Sequence, residues 1–196
     1  MRLWRIRDVL REPATSLRRK LAAVWRGRAA RRGDAPMSTK PGTAQRPLGQ
    51  PWRPNPGGRR SVADAVALAK DLGVVVEDDV RIVVNDAWLN MQGAEVYAAY
   101  AGFTSTRPYT WDDLLIRGKM VVKLRSTVLD SDEGIVEVLA HEMHEINTLR
   151  GMFEARSSIP GAELIELLGP GRPGNLHDKA WDVGAGVLRR LRGGIK

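Results

Sequence analysis

Apolar positions recur at helical spacing in several stretches of this chain and at strand spacing in two others. Leu3, Ile6, Leu10, Leu17, Leu21 and Trp25 outline a basic amphipathic helix interrupted at Pro13. Ser61 is a plausible N-cap for a helix over 62–72, which Gly73 ends. The run Val80–Val84 reads as a strand. Residues 94–101 fit either a short helix or a strand, and 111–115 fit one helical turn. Lys119–Leu124 is a second, partly alternating strand. The strongest helix follows it. Asp130 is placed to cap, with Glu133 three residues on in the manner of a capping box. Ile135, Val138, Leu139, Glu142, Met143, Ile146 and Leu149 then form one stripe. A further helix covers 161–168 and closes at Gly169-Pro170. After the loop 169–174, Asn175 caps a last helix whose apolar row is Leu176, Ala180, Val183, Val187 and Leu191. These elements predict an α+β domain over 61–196, with a small antiparallel or mixed sheet packed against helices.

Composition divides the rest. Residues 34–60 concentrate proline and glycine and read as a linker. Residues 1–33 form a basic extension, either helical or disordered. The net charge of +8 belongs to this N-terminal third: residues 1–60 hold 16 Lys and Arg against 3 Asp and Glu, the remainder 15 against 20. A base-reading surface on the folded body is therefore not indicated. The tail is suited to nucleic acid or an anionic membrane, or is a solvated extension; translation from Met37 would omit most of it. The chain has no cysteine, which removes disulfides, thiolate metal sites and cysteine nucleophiles. No stretch approaches a transmembrane span, and charges break any secretory apolar core near the N-terminus. The expectation is a cytoplasmic protein, or one exported without a cleavable signal.

The chemistry gathers at the histidines. There are three, His141, His144 and His177. Side chains three or four apart share a helix face, so His141 projects with Glu145 and, at a different angle, with His144. Two ligands from that helix and His177 from the last one would make the three-ligand, open-position site of catalytic zinc, and this requires the three to converge within about 4 Å. Glu142 lies on the apolar stripe, where a carboxylate is costly unless paired or used; beside a metal-bound water it would serve as general base. Asp178 is a candidate outer partner for His177. His/Glu ligands also accept iron, manganese or nickel. Ser126, Ser157 and Ser158 lack a nucleophile-elbow context, there is no phosphate-binding glycine loop, and Trp88, Trp111 and Trp181 read as core or rim residues.

A strand at 119–124, a short turn and a helix bearing Leu139-Ala-His-Glu-Met-His-Glu145 together resemble the zincin metallopeptidases. The resemblance covers roughly 119–182. It implies His141 as first ligand and Glu142 as general base. The second ligand position falls on Glu145 rather than histidine, giving a His/Glu/His set with His177; His144, the alternative ligand that helix spacing offers, would not follow the family's geometry. Gly174–Asp182 is also similar to terminal domains of bacterial toxin or phage-encoded proteins. The implied function is a zinc-dependent hydrolase, a peptidase acting on a peptide or protein. The competing expectation is a non-enzymatic binding or structural module of a phage or toxin system, in which the same side chains form a polar network.

Overall fold

A computed structural model describes residues 51–92, 97–169 and 172–194. The expected N-terminal helix and residues 34–50 of the expected linker lie outside them. The elements, in chain order, are α1 (Val62–Asp71), β1 (Val80–Val84), α2 (Asp86–Gln92), β2 (Ala98–Ala99), β3 (Pro108–Tyr109), β4 (Leu115–Ile116), β5 (Lys119–Leu124), α3 (Asp132–Ala155), β6 (Ile159–Pro160), α4 (Gly161–Leu168) and α5 (Leu176–Gly193). Short 3-10 turns occupy Asp112–Leu114 and Ser126–Asp130. The fold is α+β, with a small mixed sheet.

β5 is the centre of that sheet because its inward positions carry the most apolar side chains. Met120, Val122 and Leu124 are fully buried, and the alternation matches the period of a strand. β1 lies along one edge of β5 in parallel, with Val80 opposite Met120 and Val84 opposite Leu124. β4 and β2 share the other edge, both antiparallel. The β4–β5 hairpin turns through Arg117 and Gly118, both at positive φ, the conformation a two-residue turn needs between right-twisted strands. β3 and β6 make a separate two-stranded ladder, Tyr109 opposite Ile159.

α3 is the axis of the molecule, 24 residues and about 36 Å long. Its first three turns are buried on every side, from Glu133 through Met143. Its cap is Ser131, whose Oγ accepts from the Gly134 amide, not Asp130; Glu133 turns instead to two arginines. α1 lays Ala65 and Ala69 on the core, and Ser61 caps it as expected through the Asp64 amide. Asn175 caps α5 by accepting from the Asp178 amide. α5 packs along α3 closely enough that a Cβ at Gly184 would stand 2.5 Å from the Glu137 carbonyl oxygen, so glycine is required there.

The folded body begins before Ser61. Residues 51–60, expected as the end of a linker, cross the N-terminal end of α3 as a strap. Trp52 lies on Gly134 and donates its indole N–H to Glu137 at 2.6 Å. Asn55 brackets the helix start, accepting from the Asp132 amide and donating to the Leu129 carbonyl. Arg59 and Arg60 pair with Asp130 and Asp132. The prolines and glycines that mimic a linker shape a bound segment.

Candidate metal centre

Two neighbouring turns of α3 and the first turns of α5 supply the site. The i, i+4 spacing puts His141 and Glu145 on the face that meets α5, and α5 opens with His177 and Trp181 at the same spacing. His141 Nε2 lies 3.2 Å from Glu145 Oε1, and His177 Nδ1 lies 2.8 Å from that same oxygen. One ligand atom from each of the three residues falls within 4.8 Å of the others. Ligands about 2.0–2.1 Å from a tetrahedral ion stand roughly 3.3 Å apart, so the His141–Glu145 pair is already at that separation and the His177–Glu145 pair is closer, at hydrogen-bond distance. The full set, at 4.8 Å, is slightly wider than the expected 4 Å, and closure onto one ion takes a narrowing of about 1.5 Å.

The surroundings set the charge. Burial raises the Glu145 carboxyl, but hydrogen bonds from His141 and His177 outweigh it and hold it down at about 2. The buried Tyr100 hydroxyl donates to its other oxygen, Oε2, at 3.2 Å. Burial lowers His141, a drop only partly offset by its bond to Glu145. A carboxylate that stays ionised and an imidazole that stays neutral are the states metal ligation requires. Glu142 is the reverse: burial and the neighbouring Glu145 charge push it well above the usual carboxylate range. Its Oε2 and the Nδ1 of His141 are buried without a hydrogen-bond partner. The rings pack closely, His141 lying edge-on to His177 with centroids 4.7 Å apart and tilted against Trp181 at 4.2 Å. His177 is the open side of the site, its side chain 27% exposed against 3% for His141.

No family model, curated protein or solved structure matches this chain.

The structure brings together His141, Glu145 and His177, with Glu142 on the adjoining face of the same helix. It does not bring His144 to them. That ring lines an open cleft of about 360 Å³ with Val75, Asn147, Val183 and Arg190. Asp178 is not the outer partner of His177; its carboxylate accepts from the Gly174 amide and closes the loop before α5. The side chain that meets His177 Nε2 is Trp181, which donates its indole N–H to that nitrogen at 3.3 Å. Sequence reading missed Trp181 and Tyr100. The tryptophan sits four residues after His177, a spacing that could have found it; Tyr100 lies in a segment without clear periodicity.

Proposed function

We propose that this domain holds a divalent ion, zinc by its ligand chemistry, on His141, Glu145 and His177, and hydrolyses a peptide. The observation that carries the reading is the convergence of these three donors, two of them buried, within 4.8 Å. Two imidazoles and a carboxylate are borderline ligands suited to zinc. An ion there would supply Lewis acidity to a carbonyl and acidify a water molecule. The chain's own residues do the rest. Glu145 brings the negative charge that draws the ion into a buried pocket. His177, on the open side, faces the approaching substrate. Glu142 is the proton acceptor; burial first and the Glu145 charge second push its carboxyl up, so neutralising Glu145 removes the second of these and favours the base form. The likeness of 119–182 to zincin metallopeptidases supports the peptidase reading.

A second reading has its own observation. Glu145 accepts from His141, His177 and Tyr100 at once, so the cluster is also a satisfied polar network, as a binding or structural module would use. Elemental analysis of the purified full chain separates the two. Near one equivalent of zinc, lost in His177→Ala, with peptide turnover that follows the metal, is the expected result. A folded protein with no metal, whose stability falls in His177→Ala, would replace the hydrolase with the network.

A further inference from the structure

The Trp181 indole has one polar hydrogen and no acceptor, and it donates to His177 Nε2. That nitrogen therefore presents a lone pair, and the neutral ring carries its single proton on Nδ1. Nδ1 is the nitrogen turned to Glu145, and an imidazole nitrogen ligates only when it carries no proton. Resting on the metal reading above, we infer that Trp181 is the positioning residue that keeps this centre closed: it holds His177 in the tautomer that cannot ligate through Nδ1. Ion binding requires the indole bond to break, the Nδ1 proton to leave to water and a proton from water to settle on Nε2. The ring stays neutral throughout. Two N–H groups facing each other would then be left between Trp181 and His177, so the indole must also turn or the ring shift.

The position of Trp181 makes this a property of the whole site. Its ring lies 4.2 Å from that of His141, tilted by 38°, so one side chain packs on the first ligand and hydrogen-bonds the third. Phenylalanine at 181 keeps a ring against His141 and removes only the donor.

The test uses the full chain labelled with nitrogen-15 in histidine, freed of metal with a chelator and then titrated with Zn²⁺. The His177 signals are those missing from His177→Gln. The metal-free protein should show His177 protonated at Nδ1, and Zn²⁺ should shift that nitrogen to the coordinated state with the proton on Nε2. Trp181→Phe should bind Zn²⁺ roughly tenfold tighter, about 1.4 kcal/mol. An Nε2-protonated ring in the metal-free wild type would overturn the inference without any variant. Equal or weaker binding by a folded Trp181→Phe would overturn it while leaving the metal reading intact. Failure of both proteins to bind Zn²⁺ would overturn the metal reading itself, and the closing role with it.

Discussion

Glu142 and Glu145 sit on the same buried helix and are pushed in opposite directions, the first toward its protonated form and the second toward its ionised form. Glu145 is satisfied by three donors, whereas Glu142 has an oxygen with none and is pushed well up by burial and by its neighbour. Glu142→Gln keeps the shape and removes a carboxyl whose ionised form burial disfavours. Its unfolding midpoint should be unchanged or higher, while peptide turnover should fall by roughly 10²-fold or more, as loss of a general base does. Turnover equal to wild type, at equal metal content, would remove Glu142 from the reaction. The triad itself was legible because histidine is scarce here and helical spacing states which side chains share a face. Asp178 was misplaced for a related reason. A carboxylate next to a histidine in sequence is about 100° away around the helix, and the capping loop takes it. Trp181, a full turn on from His177, is the one that reaches the ring.

At the level of elements, the site depends on how α3 and α5 are held, and the strap at 51–60 holds the first of these. Trp52 covers Gly134 and bonds Glu137, one turn before His141. A chain starting at Ser61 would expose that apolar patch and leave the buried Glu137 without the indole donor. Its unfolding midpoint should lie about 5–15 °C below that of a chain starting at Pro51, an order of magnitude that follows from losing about 2–4 kcal/mol of packing and hydrogen bonds. Equal thermal unfolding of the two would return the strap to the status of a linker. Four of the five described helices and the two long strands were readable from periodicity, which is local; α2 (Asp86–Gln92), only seven residues long, was not. The strap was not, because its hold comes from individual side chains meeting residues some 71–85 positions away, and composition is silent about partners. The short strands β2, β3, β4 and β6 are two residues each, too brief to carry any period.

Across the whole molecule, Glu133 is the joint between distant segments. Arg192 on α5, against the cost of burial and with help from Arg53 on the strap, holds its carboxyl down at about 2. A carboxyl near 4.5 in the unfolded chain and about 2 in the folded one contributes stability that is complete above pH 4.5 and lost as the pH falls toward 2. Acid unfolding should therefore steepen in that window, and Glu133→Gln should flatten it while lowering stability at pH 7. An unaltered acid profile in the variant would assign the loss to other carboxylates. The two arginines come from opposite flanks, one 80 positions before Glu133 and the other 59 after it. Such an arrangement has a kinetic meaning. Long-range closures are slow, and a growing polypeptide cannot complete this joint until α5 has been synthesised. Until then His177 is not available to His141 and Glu145, so the nascent chain carries its histidines as separate weak donors. The cluster is therefore completed in one late step, when α5 docks on α3, and no set of three donors exists in the chain before the last helix has emerged.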